Sequence, residues 1–350
     1  MPMKADPDLT SQRKKEHIDL CLNDDVSFKE KTTGFERYDF EHYAITEIDI
    51  SKINFRSKFF NKKVDYPFLI SCMTGGTSKA EDINTQLSIA ANELNIPLGV
   101  GSQRQALENT DYHKSYKIIR NNAPKIPILG NIGASQISAF KNFDKVKYLV
   151  DLVEADVMVV HANPLQELLQ NHGEPDFKGF LKKIEKLVKY LNIPIVVKEV
   201  GAGISKKAAE KLLDAGVKGI DAAGAGGTSW SGVEILRNNE NYSDEFWDWG
   251  LPTAFCIKEI YKLKKKYKFV LIGSGGINNA FDIAKALALG ADFAASARII
   301  LQTLYKNGVE GVVSLVENWF DTIKKIMYLT GSGTLADLRK NKLIKKEELY

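Results

Sequence analysis

The sequence predicts an α/β protein, a (β/α)8 TIM barrel with an N-terminal extension over its catalytic face. Three observations carry that expectation. Eight short apolar runs recur between Tyr66 and Arg298, with segments of helical period between them. Asn-Ile-Pro, Lys-Ile-Pro or Ala-Gly-Val stands before several of the runs, which are the helix stops and turns a repeating αβ unit needs. A length of 350 residues suits one such barrel. The runs are Pro67–Cys72, Pro97–Gly101, Pro127–Asn131, Asp156–His161, Pro194–Lys198, Gly219–Ala222, Phe269–Gly273 and Asp292–Ala297. Helical segments include Ala80–Leu94, Phe177–Leu191, Lys206–Ala215, Thr253–Lys266 and Phe281–Leu289. With a helix in each crossover the strands run parallel, and eight of them close on themselves. An open doubly wound sheet has fewer consecutive units and one reversal of strand order.

Three regions follow: an extension over 1–65, the barrel over 66–330 and a tail over 331–350. The extension begins polar and charged, without the apolar segment of a secretory signal. Ser11–Ile18 packs Arg13, Lys14, Lys15 and His17 together, which by itself reads as a solvated helix start. Residues 26–64 carry Phe28, Phe35, Tyr38, Phe40, Tyr43, Phe55, Phe59 and Phe60 and are expected to fold over one end of the barrel. Ala223–Leu251 is too long for a plain βα turn and holds Trp230, Trp247 and Trp249, as a lid or site wall does. The last segment, Gly308–Tyr350, contains a helix up to Thr330, then passes a Gly-Ser-Gly turn into a lysine-rich end.

Composition excludes several classes. The chain is 44% hydrophobic and 26% charged, ordinary for a globular protein, and its net charge of +4 gives no nucleic-acid signal. No apolar run approaches the roughly 18 residues that span a bilayer. Cys21, Cys72 and Cys256 lie far apart, which argues against a disulfide framework or cysteine-rich zinc site and suits the cytoplasm.

A barrel enzyme works at the carboxyl ends of its strands, so the residues just after each run become neighbours. They are Met73-Thr74-Gly75-Gly76, Ser102-Gln103-Arg104, Asn131-Ile132-Gly133, His161-Ala162-Asn163-Pro164-Leu165-Gln166-Glu167, Lys198-Glu199, the approach from Ala223 to Thr228, Ser274-Gly275-Gly276-Ile277 and Ala297-Arg298. Val157–Val160 is continuously apolar, as in a strand with no wet face, and Pro164 stops it. The glycine turn after the seventh run opens a helix near Asn279, and another helix starts after the eighth. Free N–H groups at such helix starts form the barrel's phosphate cradle. Lys198 ends an apolar run and points into the mouth, where a cation tunes the N1/C2 edge of a phosphate-anchored flavin. Arg13, Lys14, His17 and Arg104 suit a second, more highly charged group. Glu167 fits among those cations when Mg²⁺ joins it to phosphates.

In this order the motifs resemble type 2 isopentenyl-diphosphate isomerase, the FMN-dependent family, over nearly the whole chain. They run from Arg13-Lys14-Lys15-Glu16-His17 through Gly99–Arg104, Gly226-Gly227-Thr228 and Gly273–Ile277 to Leu329-Thr330-Gly331. The resemblance implies isomerisation of isopentenyl diphosphate to dimethylallyl diphosphate, with reduced FMN as the acid–base group, Mg²⁺, and NADPH as reductant. It implies FMN contacts from Met73, Thr74, Gly75, Ser102, Asn131, Lys198 and Thr228. The cofactor's phosphate would lie at Gly276, Ile277, Asn278, Ala297 and Arg298. Substrate would be held by Arg13, Lys14, His17, Arg104, His161, Asn163 and Gln166, and the metal by Glu167. No side chain is assigned with certainty to the proton transfers. Members are usually homo-oligomers. Asn278 stands where members often carry arginine, and Ala223 where many carry serine.

Two further enzyme classes share parts of this plan. An FMN-dependent 2-hydroxy-acid oxidase needs a base histidine near the seventh strand, and no histidine follows His172. An inosine-phosphate-type dehydrogenase needs a cysteine after the sixth strand, and Ala223–Leu251 has none. A non-catalytic flavin- or diphosphate-binding protein would use the same residues as the isomerase.

Overall fold

In a computed structural model, which describes residues 7–76, 78–238, 244–340 and 343–349, all eight apolar runs are strands. They are Phe68–Ile70, Leu98–Gly99, Ile128–Gly133, Val157–His161, Ile195–Lys198, Gly219–Asp221, Val270–Gly273 and Phe293–Ser296. Each pairs in parallel with the next in sequence and the eighth returns to the first, closing the barrel. Met1–Asp6, at the polar start, lie outside the described residues, as do Asn239–Ser243 in the long sixth connection and Asn341, Lys342 and Tyr350 in the tail.

Local chemistry sets the elements. The fourth strand is buried from Val157 to Val160, as a run of apolar residues between two sheet faces requires. Pro164 then sits in the first turn of helix Pro164–Leu169, where its missing N–H costs nothing. Asn279 caps Ala280–Ala288, its Oδ1 accepting the Asp282 N–H at 3.0 Å. Thr253–Lys266 is helical only to Tyr261 and tightens into a 3-10 turn over Lys262–Lys265. Register fixes the height of the site, with His161 beside Lys198 and Lys198 beside Asp221 across three adjacent strands.

The extension divides between the two ends. Helix Pro7–Asn23 crosses the carboxyl end, as expected of a cover for the catalytic face. The hairpin Ser57–Phe59/Lys62–Val64 closes the opposite end. There Phe59 and Val64 join the barrel's inner apolar cluster with Leu69, Leu129, Val157, Val196, Ile272 and Phe293. The Phe59 ring stands edge-on to Phe293 at 5.0 Å. Burying a side chain of this size contributes about 1.5–3 kcal/mol.

The tail is less separate than its composition suggests. The final long helix, Arg298–Leu329, breaks at Gly308, whose φ of 66° leaves the helical range. Beyond it, Leu343–Lys345 pairs antiparallel with Tyr38–Phe40, tying the tail to the extension. Among the described residues no helix is long and apolar enough to cross a membrane.

Candidate active site

A cavity of about 650 Å³ opens at the carboxyl ends of the strands beneath helix Pro7–Asn23. Nearly every site residue expected from the sequence lines it. Met73, Thr74, Ser102, Asn131, Lys198 and Thr228 form its floor and walls, with Gly276, Asn278, Ala297 and Arg298 at one end. Arg13, Lys14, His17, Arg104, His161, Asn163, Gln166 and Glu167 also line it.

Two expected contacts do not line the cavity. Gly75 faces the Tyr116 ring so closely that an added Cβ would lie 2.2 Å from it, and its carbonyl accepts from Lys14. Ile277 is buried in the apolar core, and its carbonyl accepts from the Ser296 hydroxyl at 2.7 Å. Arg298 lines the cavity, but its guanidinium faces the extension. It donates to the Cys21 and Asp24 carbonyls at 3.0 and 2.8 Å and to Ser27 Oγ at 3.0 Å. Its backbone at a helix start, with the neighbouring glycines, is what remains for an anion.

The glycines at that end are required by close backbone approach. A Cβ on Gly227 would fall 2.4 Å from the Gly276 nitrogen. Gly275 and Gly276 also adopt positive φ, 102° and 70°, which side-chain-bearing residues rarely tolerate. The Asn278 N–H is already donated to the Asp282 carboxylate at 3.2 Å.

The cations of the first helix do not form a solvated face. Lys14 is turned inward, donating to the Ser102 carbonyl at 3.0 Å, to Tyr116 Oη at 3.3 Å and to the Gly75 carbonyl. Burial, reinforced by Arg13, pushes its pKa down to about 7. His17 Nε2 donates to Glu234 at 2.9 Å, and burial holds its pKa below the ordinary histidine value. Arg13 makes no hydrogen bond or ion pair among the described residues. Burial, followed by the neighbouring Arg104, pushes its pKa down. A half-buried guanidinium with no hydrogen-bond partner, beside a second one, is suited to receive an anion.

His161 is held neutral, its pKa pushed down to about 3 by burial and then by Lys198, Lys14 and Arg13. Asn131 Oδ1 lies 2.9 Å from His161 Nδ1 and can only accept, so Nδ1 carries the proton and Nε2 is left as an acceptor. Asn163 Nδ2 donates to Gln166 and Glu167 at 3.0 and 3.2 Å. These bonds organise the polar end of the fourth strand. Thr74 Oγ1 and Asn163 Oδ1 are buried without partners, so the cavity holds hydrogen-bonding capacity that the protein does not use itself.

Several residues of the site escaped the sequence reading. Glu199 accepts the N–H groups of Val200, Gly201 and Ala202 at 2.6, 2.7 and 2.5 Å, folding the turn after Lys198 around one carboxylate. Asp221 stands beside Lys198 in register and accepts from Ser274 Oγ at 2.5 Å, joining the fifth, sixth and seventh strands. Glu234 accepts from His17 and Gln166 and pairs with Arg237, which also reaches Glu16. Burial raises the Glu234 pKa, but the His17 bond and the charges around it outweigh that and leave it low. Trp230 packs edge-on to His17 at 5.0 Å and lines the cavity, as its long connection suggested. Asp221 carried the same signal as Lys198, a polar residue ending a buried run. Glu234 carried none, because its two partners in the cavity, His17 and Gln166, lie 217 and 68 residues away.

The cavity fits FMN, with a glycine-built anion cradle, unpartnered polar atoms and a lysine in the mouth. Among the described residues no three His, Cys, Asp or Glu converge as a metal cage. A divalent ion at Glu167 therefore needs oxygens from a ligand and water.

Comparison with known proteins agrees. A family model described as FMN-dependent dehydrogenase matches residues 8–119 and 133–345. Among solved structures, a lactate oxidase of Pediococcus acidilactici superimposes with a TM-score of 0.70 at 15% identity, over 98% of this chain and 95% of that one. A flavocytochrome b2 variant gives 0.70 at 20% identity, over 94% and 82%. These two show the shared barrel. The sequence relatives are nearer. An isopentenyl-diphosphate delta-isomerase of Chlorobaculum parvum is 43% identical over 97% of this chain and 98% of its own. Those of Pelodictyon phaeoclathratiforme and a Nostoc species are 42% and 40% identical, covering 96% and 97% of this chain and 98% and 97% of their own. By its sequence, this chain belongs to the isopentenyl-diphosphate delta-isomerase family.

Proposed function

We propose that the protein interconverts isopentenyl diphosphate and dimethylallyl diphosphate, with FMN in the barrel mouth and Mg²⁺ at Glu167 bridging to the substrate. The observation that carries this reading is one cavity with groups suited to an anion at each of two ends. At one end lie the glycine cradle and helix starts. At the other lie Arg13, Arg104, His17 and Lys14 around the Asn163–Gln166–Glu167 cluster.

Moving the double bond adds a proton at its terminal carbon and removes one from the methylene on the other side of the branching carbon, a 1,3-shift on an alkene with no activating group. His161 is neutral at physiological pH and its Nδ1 proton is spent on Asn131, so it orients and accepts rather than supplying an acid. Reduced FMN, when bound, supplies the proton-transferring group with no net redox change. The protein's own work is positioning. The arginines fix the diphosphate, Lys198 places positive charge at the flavin edge, and helix Pro7–Asn23 excludes water. The extension, 1–65, is thus part of the substrate site, 66–330 is the cofactor-binding barrel and 331–350 is a supporting tail. NADPH is the reductant that activates the cofactor. We assign the protein to the cytoplasm as a homo-oligomer without a nucleic-acid or membrane partner.

The test is product formation. With reduced FMN and Mg²⁺, isopentenyl diphosphate is converted to dimethylallyl diphosphate; with oxidised FMN it is not. A loaded, reduced sample that leaves the substrate unchanged overturns the assignment in favour of a protein that only binds.

A further inference from the structure

Arg104 and Glu167, assigned above to the diphosphate and to its metal, are joined by one residue outside the cavity lining. That residue is Glu174. Its carboxylate occupies the Nη1/Nη2 fork of the Arg104 guanidinium, with Nη2 donating to Oε1 at 3.0 Å and Nη1 to Oε2 at 3.4 Å. Gln136 Nε2 donates to Oε2 at 3.1 Å. The Glu174 backbone N–H meanwhile donates to Glu167 Oε2 at 2.8 Å. Arg104 and Gln136 line the cavity. Glu108 holds Arg104 from its other side, at Nε, 3.1 Å away.

A guanidinium fork plus a side-chain amide, converging on one planar anion, is a donor set that a phosphate oxygen pair also satisfies. The Nη1/Nη2 fork cannot serve the Glu174 carboxylate and a phosphate together, because both would need the same pair of N–H donors. The Glu174 side chain is 41% exposed, so water can receive it. It can rotate away while its backbone N–H stays on Glu167. In place, it also keeps Arg104 neutralised beside the unpaired Arg13.

We propose that Glu174 is a resident counter-anion. It fills the place of one substrate phosphate on Arg104 and Gln136 and yields that place when the diphosphate binds. The proposal rests on the diphosphate reading above and adds Gln136 as a substrate ligand.

Calorimetric titration of inorganic pyrophosphate, with Mg²⁺, into the FMN-loaded protein tests it. Glu174→Gln tightens pyrophosphate binding about 3- to 10-fold, and KM for the diphosphate substrate falls more than kcat changes. Glu174→Asp keeps the charge but is one methylene too short for the fork, and it also tightens binding. Gln136→Ala weakens it. Unchanged or weaker binding in Glu174→Gln overturns the proposal, since Glu174 then orients Arg104 instead of competing for it. A Glu174→Asp protein that binds like the unaltered one also overturns it, leaving only a long-range charge effect. Absence of pyrophosphate binding by the unaltered protein removes the diphosphate reading itself, whereas binding that all three substitutions leave unchanged removes this proposal alone.

Discussion

The two ends of the cavity are built from different materials. The cradle end is backbone: Gly227 and Gly276 approach so closely that a side chain on either would collide. The opposite end is side chain: Arg13, Lys14 and His17 come from the first helix, Arg104 from the short helix after the second strand, and Gln166 and Glu167 from helix Pro164–Leu169 after the fourth. Backbone donors sit where the fold puts them and carry no net charge of their own. Side-chain cations repel one another until their anion arrives, and here carboxylates offset them, Glu108 and Glu174 at Arg104 and Glu234 at Arg237. The first arrangement suits a resident cofactor and the second a ligand that comes and goes.

This contrast can be broken by substitution at either end. The largest effect belongs to Arg13→Ala. Loss of a buried, charge-assisted contact costs about 2–5 kcal/mol, so pyrophosphate binding weakens on the order of 100-fold while the flavin spectrum is retained. Loss of FMN in that variant would merge the two ends into one site. Gly227→Val has the complementary effect. Overpacking against Gly276 costs about 1–3 kcal/mol, weakening FMN about 10- to 100-fold, as read by flavin fluorescence on dilution. If FMN is held as before, the close approach is not part of the cradle.

The smallest effect is in protons. Lys14 has its pKa pushed down to about 7, so it is mostly neutral at about pH 8 before an anion binds. A nearby diphosphate favours the charged form and raises that pKa. Pyrophosphate binding therefore takes up a proton, approaching one at about pH 8 and vanishing well below pH 7. Calorimetry in buffers of different ionisation enthalpy measures it. Proton release, or no exchange at either pH, contradicts the inward placement of Lys14. The same shift bears on stability. Lys14 titrates lower in the folded chain than in the unfolded one, so its burial is unfavourable below about pH 7, and that penalty lifts as pH rises toward 10.5.

The same contrast explains what could be read from the sequence. Eight strand cores were legible because apolar runs between turn signals are local patterns. The cradle was legible because its glycines have a fixed place in the strand order. The local pattern of Arg13, Lys14 and His17 pointed to solvent; they joined the site as cations that, with Arg104, suit a highly charged group, and their individual roles came through family resemblance. Their partners explain why. Lys14 meets Gly75, Ser102 and Tyr116, and His17 meets Glu234, contacts across 61 to 217 residues of chain. Periodicity cannot report such contacts. Arg298 shows the opposite failure. Its position at a helix start was read correctly, but its side chain was claimed by carbonyls of the extension. The hairpin at Phe59 was visible as an aromatic-rich segment, yet nothing local said which end of the barrel it would fill.

The most direct measurement of the whole account is isomerisation in deuterated water with reduced FMN and Mg²⁺, followed by mass spectrometry of the product and the flavin absorbance. Dimethylallyl diphosphate is expected to carry solvent deuterium while the flavin stays reduced through many turnovers. Unlabelled substrate recovered intact, or product formed only as the flavin changes oxidation state, would contradict it.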